Sequence, residues 1–258
     1  MLGWLKELVR RRELVWILID RNLRIRYKHS VLGFFWSLLG PLFLILIYSI
    51  FLGLIRIPIH LPVLVSGIIV WQFLAMCMGD ALHSIVGNAN LVTKAAFPRV
   101  ILPLSMVGAN VVNFLFSFLV LAVYLVVARE TFGAWGWLPV ILLTQVALCL
   151  GMALLIGSAN VFFRDTEHVL SVVMLAWFFM SPVIYEPQMI TEAFPRWVQV
   201  VFFLNPMSGI LTAYREVLLS RGGVEPALVA LSFGVSWAIL GAGLLVFQAV
   251  EPRFGDEL

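Results

Sequence analysis

The stretch VLGFFWSLLGPLFLILIYSIFLGLI, residues 31–55, has no charged side chain and directly follows a head, residues 1–30, that carries eight lysines and arginines. At a rise of 1.5 Å per residue, such a run forms a helix about 37 Å long, enough to cross a hydrocarbon core of about 30 Å. Lysines and arginines beside a span are retained on the cytoplasmic side. The junction therefore predicts a membrane protein whose first span leaves the cytoplasm. We expect the head to stay in the mature protein, because its acidic residues and the long apolar run do not fit a cleavable signal.

The composition also indicates a membrane protein. Hydrophobic residues make up 62% of the chain and charged residues only 12%, whereas soluble domains carry roughly 25% charged residues. The basic residues concentrate in the head, which indicates attraction to anionic lipid and not nucleic-acid binding. Cys77 and Cys149 both lie in apolar runs, so no disulfide framework is expected.

Five further apolar segments follow the first. Backbone groups in lipid have to bond within their own segment, so each segment is predicted to be helical, and the alternating pattern of an outer-membrane barrel is absent. The predicted fold class is all-α integral membrane, with six transmembrane helices and both termini in the cytoplasm. The spans are predicted at residues 31–55, 61–81, 100–128, 138–163, 169–185 and 227–250.

The basic residues outside the head support this orientation. Twelve of the 17 lysines and arginines fall on the cytoplasmic side, which also includes a tail at residues 251–258. The remaining five are assigned to the outer side: Arg56, Arg129, Arg196, Arg215 and Arg221.

Residues 186–226, between the fifth and sixth spans, are predicted to form an outer re-entrant region. The run WVQVVFFLNPMSGILTAY, residues 197–214, is uncharged, but Asn205-Pro206 interrupts it, because proline lacks a backbone donor and disfavours helix in the residue before it. We expect half-helices that enter the outer leaflet and return, packed on protein or lining a cavity. The alternative is a seventh span.

The head is predicted to contain an amphipathic helix that lies in the membrane interface. Apolar residues share one side and charged residues the other, although Leu14, Ile17 and Leu18 break the pattern. Such a helix is a simple anchor or a docking surface for a cytoplasmic partner, and the two interpretations are compatible. The arginines assigned to this interface helix are Arg10, Arg11, Arg12, Arg21 and Arg24.

The sequence lacks the motifs of an enzyme or an ion-driven carrier. It has no GxxxxGK[ST], HExxH or GxSxG motif, and its histidines have no metal-ligand spacing. No predicted span carries an ionisable residue near its centre, where ion-driven transporters place their relays. We therefore expect no catalytic residue, cofactor or metal in this chain, and we predict a permease driven by ATP and Mg²⁺ on a separate ATPase subunit.

Five segments are distributed along the chain between residues 26 and 219: RYKHSVLGFFWSLLGPL (26–42), NANLVTKAAFPRVILPLS (88–105), FRDTEHVL (163–170), SPVIYE (181–186) and LNPMSGILTAYREVLL (204–219). Together they resemble the type-2 ABC transporter permeases that export O-antigen, capsule or teichoic acid. The resemblance implies a homodimer in the bacterial cytoplasmic (inner) membrane, two copies of a cytoplasmic ATPase subunit, and a lipid-linked polysaccharide as substrate. It also implies that the head abuts the ATPase.

Coupling to the ATPase is assigned to two cytoplasmic turns. The resemblance implies that the loop between spans two and three is a coupling helix, which fits a cleft on the ATPase and moves as a rigid body. The alternative is a solvated turn. The turn between spans four and five is either a second contact or a helix cap. The assigned residues are Asn90, Lys94, Phe97, Pro98, Arg99, Arg164 and Asp165.

Aromatic residues crowd the outer end, and we assign them to an exit gate, because flat aromatic faces stack against sugar rings. The alternative is an aromatic belt at the headgroup level or ordinary packing. The residues assigned to the gate and substrate path are Trp177, Phe178, Phe179, Tyr185, Trp197, Asn205, Pro206 and Tyr214.

Two features within the spans concern helix packing. Gly234, Ala238 and Ala242 form a ladder of small residues, which we expect to pack within the subunit and not between subunits. Asn110 and Asn113 lie mid-span and need polar partners; they either join helices or line the pore.

The sequence thus predicts the membrane permease of an ATP-driven exporter of a lipid-linked polysaccharide, of O-antigen type. A permease for drug or antibiotic efflux is the first alternative. A membrane glycosyltransferase or acyltransferase is the second, and the scattered outer carboxylates argue against it.

Overall fold

The computed structural model describes residues 10–28, 30, 32, 35–55, 60–94, 97–130, 133, 135–220 and 225–258. The regular elements of these residues are all helical: α1 (Arg12–Tyr27), α2 (Trp36–Ile55), α3 (Leu61–Val86), α4 (Ala89–Lys94), α5 (Ile101–Val127), α6 (Leu138–Phe162), α7 (Thr166–Met180), α8 (Gln188–Ala193), α9 (Arg196–Leu204), α10 (Pro206–Leu219), α11 (Pro226–Val250) and α12 (Phe254–Glu257), with 3-10 turns at Trp135–Trp137 and Glu251–Arg253. The predictions for residues 1–9, for residues 31, 33 and 34 of the first span, and for Arg56 and Arg221 lie outside the described residues.

Four of these helices are long and apolar enough to cross a membrane, namely α3, α5, α6 and α11. Two shorter apolar helices, Leu38–Phe51 within α2 and Thr166–Met180, coincide with the predicted first and fifth spans. The all-helical membrane class is therefore confirmed, while the count of six spans stays a prediction for α2 and α7.

Two helix ends differ from the prediction because of tertiary contacts. Helix α3 continues to Val86, past the predicted end at residue 81, and the added residues pack on protein, since Leu82, Ser84 and Ile85 are buried. Helix α7 ends at Met180 and not at residue 185. Residues 181–186 form a loop whose carbonyls are bound by a distant side chain, described below.

The core has two parts. The larger hydrophobic cluster joins the long helices α3, α5 and α6 to α10. The second cluster lies at the opposite end of α3 from α10 and joins α1, α4 and the chain tail to the ends of the long helices. Helices α6 and α11 approach closely because Gly151 and Gly243 face each other: a Cβ added at Gly243 would lie 2.4 Å from the Gly151 carbonyl oxygen.

The ladder of Gly234, Ala238 and Ala242 does not pack within the subunit, so that expectation is wrong. All three residues are exposed, and a Cβ added at Gly234 would meet nothing within 4 Å. The face of α11 that is buried carries Ser232, Ser236, Gly243 and Phe247 instead. Four-residue spacing defines a helix face, but which face turns inward depends on the neighbours.

The break predicted at Asn205-Pro206 is present. Asn205 has extended backbone angles (φ −68°, ψ 113°) between α9 and α10, and its side chain caps α10 by accepting from the Met207 N–H at 3.1 Å. Residues 186–226 contain three short helices, α8, α9 and α10. Helix α10 is buried along most of its length, so the second half of the broken segment is packed on protein, whereas in α9 Phe203 is the buried residue.

Candidate functional site

The N-terminal helix packs on the rest of the chain. Leu18 and Ile19 of α1 are buried, and a Cβ added at Gly108 of α5 would lie 2.6 Å from Ile19 Cδ1. Trp16 and Ile17 are exposed on the other side. Leu18, which breaks the amphipathic pattern of the sequence, therefore lies on the face of α1 that packs on protein. Contact with the other helices of the chain, and not contact with lipid, determines which side of α1 is buried.

A polar network joins α1 to α3 and α5. The Arg26 guanidinium forms an ion pair with Asp80 and donates to Asn110 Oδ1 at 2.7 Å. Asn110 Nδ2 in turn donates to Asp80 Oδ2 at 2.7 Å, and the Tyr27 hydroxyl donates to Asn113 Oδ1 at 2.7 Å. Both asparagines thus join helices, which is one of the two alternatives the sequence left open.

The five arginines assigned to the interface helix divide into two groups. Arg21 is half-buried and donates to Asn88 Oδ1 at 2.7 Å, just before α4. Arg24 is exposed and pairs with Asp20 on the same helix face at 2.7 Å. Arg10 and Arg12 are exposed and Arg11 is half-buried. Three of the five arginines, Arg10, Arg12 and Arg24, therefore lie on the surface of this chain.

The loop between α3 and α5, which the sequence predicts to be cytoplasmic, contains a short helix held against the chain tail. Asn90 is exposed on α4, whereas Phe97 and Pro98 are half-buried. Lys94 is the last residue of α4, and its side chain lies outside the described part of the chain. Arg99, which the sequence presents as a surface cation, is half-buried and bonds to Glu251. Its first partner is therefore in its own chain.

The turn between α6 and α7, the second of the two turns predicted to be cytoplasmic, is exposed. Arg164 and Asp165 are both exposed between α6 and α7. Asp165 holds the position before α7, but its side chain makes no capping hydrogen bond there. Of the two interpretations for this turn, capping by Asp165 is not observed.

At the other end of the molecule, Asn205 links three elements. Trp177 Nε1 donates to Asn205 Oδ1 at 2.7 Å. Asn205 Nδ2 donates to Ser181 Oγ at 2.9 Å and to the Met180 carbonyl at 3.2 Å. One amide therefore holds the end of α7, the loop that follows it and the start of α10 together.

The other aromatic residues assigned to the gate fall into buried and exposed sets. Tyr214 is 1% exposed and lies among core rings, and Pro206 is also buried. Phe178 and Tyr185 are half-buried. Phe179 is 59% exposed and Trp197 is 70% exposed. Only the last two present most of their surface away from this chain.

A residue that the sequence assigned simply to the outer side is central to this region. Arg215 is 1% exposed; it donates through Nη1 to the Tyr185 carbonyl at 2.7 Å and through Nη2 to the Val183 carbonyl at 2.9 Å. Gly67 of α3 makes room for this contact, since a Cβ there would lie 2.2 Å from the Val183 oxygen. The signal in the sequence is that Arg215 follows Leu211 by one helical turn, on the apolar face of α10.

Among the residues that the structure describes, no three His, Cys, Asp or Glu side chains are grouped so that they could hold a metal ion.

Comparison with known proteins identifies the family that the chain matches. Residues 13–219 match the family described as ABC-2 type transporter. Two O-antigen export system permease proteins RfbA of Klebsiella pneumoniae are each 29% identical over 251 residues, which cover 95% of either chain. An O-antigen export system permease protein RfbA of Myxococcus xanthus is 30% identical over 265 aligned positions, which cover both chains completely.

Proposed function

The chain belongs to the ABC-2 type transporter family, and on that premise we propose that it is the membrane permease of an ATP-driven exporter of lipid-linked polysaccharide. The observation that carries the proposal is that relatives named as O-antigen export permeases align with 95% to 100% of this chain. An alignment of that extent includes the two turns and the outer region on which transport would depend.

The two ends of the molecule support an orientation with both termini in the cytoplasm. Helix α3 has the Asp80 network near its C-terminal end and the Arg215 contact with the Val63 carbonyl, at 3.5 Å, near its N-terminal end. Helix α4 follows the first of these ends directly, and the basic head packs beside it. Positive residues are retained in the cytoplasm, so we assign the Asp80 end to the cytoplasm and the Arg215 end to the outside.

We assign the cytoplasmic end to ATPase coupling, in a homodimer that binds two ATPase subunits. A six-residue helix such as α4 is too short to be stable alone, but buried contacts hold Val92 in the second core cluster. A helix held in this way transmits a push from a partner to the spans as a rigid body. Exposed Asn90 and Arg164 supply contacts for that partner.

We assign the outer end to the exit. A polymer is too long to be enclosed in a pocket and released whole, so a continuous channel between two subunits is the economical geometry. Phe179 and Trp197 are exposed on one chain, and their flat faces suit sugar rings that slide without a fixed register. Asn205 and Arg215 hold the backbone that carries these rings, so their role is positioning.

The direct test is deletion of the gene with complementation. We expect loss of surface glycan, intracellular accumulation of the lipid-linked glycan, and recovery with the intact chain. Affinity purification of the complemented protein should recover an ATPase subunit that hydrolyses ATP. Normal surface glycan after deletion, together with sensitivity to an unrelated drug, would overturn the proposal in favour of efflux.

Charge reversal tests the coupling assignment. Lys94→Glu with Arg164→Glu should leave the chain inserted but reduce export, because like or unpaired charges across a contact cost several kcal/mol. Arg99 stays unchanged in this experiment, since its partner Glu251 lies in the same chain. Normal surface glycan in the double variant, at the same protein level as the unmodified chain, would show that both turns are only solvated turns.

A further inference from the structure

The residues that follow the last long helix are packed on the rest of the chain. Residues Glu251–Arg253 form a 3-10 turn and α12, Phe254–Glu257, folds back onto the cytoplasmic end. Phe254 is 0% exposed. Its ring centroid lies 5.4 Å from that of Phe247 in α11 and 6.0 Å from that of Phe162 at the end of α6. The tail therefore bridges two long helices by apolar contact.

The same tail binds the segment between α4 and α5. The Arg99 backbone N–H donates to Glu251 Oε1 at 2.9 Å, and the Arg99 guanidinium donates to the Glu251 carbonyl and, at 3.5 Å, to the Val92 carbonyl. The two hydrogen bonds between Arg99 and Glu251 also place charges favourably at helix ends. The negative Glu251 carboxylate lies at the N-terminus of α5, and the positive Arg99 guanidinium lies at the C-terminus of α11. The helix dipole stabilises a charge of that sign at each of these ends.

One cluster unites these contacts. Leu18 of α1, Val92 of α4 and Ile101 of α5 are buried in it together with Phe247 and Phe254. Leu154 of α6 also belongs to this cluster, so the tail adds to the other contacts around α4. It adds a link to the end of the last span, because Glu251 binds Arg99, in the segment after α4, over a separation of 152 residues in the sequence.

We infer that residues 251–254 are a coupling strut, with Glu251 and Phe254 as positioning residues. The strut holds α4 and the start of α5 against α11, so that a displacement of α4 by the ATPase moves the last span and is not absorbed by the loop. This inference rests on the proposed function. According to this inference, the tail is required for coupling between the ATPase and the spans. A tail that made no contact with the other helices could be altered without an effect on transport.

The test uses the full permease with its ATPase subunit, reconstituted in vesicles with the lipid-linked glycan. Three quantities are measured: the ATPase retained per permease, the rate of ATP hydrolysis, and the glycan translocated per ATP. For Phe254→Ala we expect retention and hydrolysis to persist while glycan per ATP falls by about two- to thirty-fold, the range for mutations that alter coupling between sites. Phe254→Leu should recover most of the ratio. Glu257→Gln, in the exposed part of the same tail, is the matched control and should leave it unchanged.

A covalent version keeps the test decisive if Phe254→Ala does not fold. In a background without Cys77 and Cys149, Arg99→Cys or Glu251→Cys alone should lower glycan per ATP, and the disulfide of the double variant should restore it until reductant is added. Normal coupling in the single variants, or loss of ATPase binding as the primary defect, would overturn the strut. Absence of glycan transport by the unmodified complex would instead overturn the proposed function, so the two failures are distinguishable.

Discussion

Replacement of Arg215 by leucine should release the loop at residues 181–186, which Arg215 binds. The guanidinium of this buried residue stays protonated in proteins and satisfies the carbonyls of Val183 and Tyr185 at 2.9 and 2.7 Å. Arg215→Leu leaves both oxygens without their donor. Arg215→Lys keeps the charge but lacks the planar fork that reaches two carbonyls, so we expect an intermediate effect.

The magnitude follows from the contacts. A buried group left without its partner costs about 1–3 kcal/mol, so two carbonyls cost about 2–6 kcal/mol. Leucine also removes the cost of burying a charge, which lowers the total. We expect a net loss of about 2–4 kcal/mol from the stability of residues 181–186, which is about 30- to 1,000-fold in the opening equilibrium.

Hydrogen exchange of the purified complex measures this opening directly, because loops that open locally exchange according to their own free energy. The Val183 amide is a suitable reporter, since it donates to the Ser181 carbonyl at 2.7 Å. Arg196→Leu is the matched control: Arg196 pairs with Glu225 at 2.6 Å, but the two side chains are 53% and 52% exposed, so its loss costs about 0–1 kcal/mol.

Equal exchange of residues 181–186 in Arg215→Leu and the unmodified protein would refute this reasoning. So would an equal effect of Arg196→Leu, because a general destabilisation and not the two carbonyl bonds would then explain the result. If the loop opens as expected, surface glycan per assembled complex should fall as well, since the backbone of the proposed gate is no longer held.

Three further predictions test other contacts. Gly67→Ala should prevent the loop after α7 from docking, because the added Cβ would lie 2.2 Å from a carbonyl oxygen of that loop; the thermal midpoint of the complex should fall, and an unchanged midpoint would contradict the close approach. Asp80→Asn should destabilise α1 docking by about 1–3 kcal/mol, and a double-mutant cycle with Arg26→Gln should show a coupling energy, whereas additive effects would mean that the ion pair contributes nothing. Trp197→Ala should reduce export at an unchanged level of complex, whereas Tyr214→Ala should lose about 3–5 kcal/mol of core packing and lower the protein level; the same behaviour of both variants would remove the distinction between exposed and buried aromatic residues.

Much of the architecture is encoded locally. Uncharged runs longer than the bilayer thickness predict helices, and α5, α6 and α11 lie within two residues of the predicted bounds. The break at Asn205-Pro206 was also predictable, because a missing backbone donor acts on the residue itself and its immediate neighbour. The family resemblance, too, rests on segments that are contiguous in sequence.

The partners of polar side chains were decided only by the tertiary structure. Arg26 and Asp80 are 54 residues apart, Arg215 and Val183 are 32 apart, and Arg99 and Glu251 are 152 apart. Nothing near Arg99 in the sequence distinguishes a surface cation from one that joins the chain tail to α4. The orientation of helix faces was decided in the same way, as the exposed ladder on α11 shows. The physical reason is that hydrophobicity and proline act within a few residues, whereas a hydrogen bond or a buried charge requires a partner that only packing of the helices brings within reach.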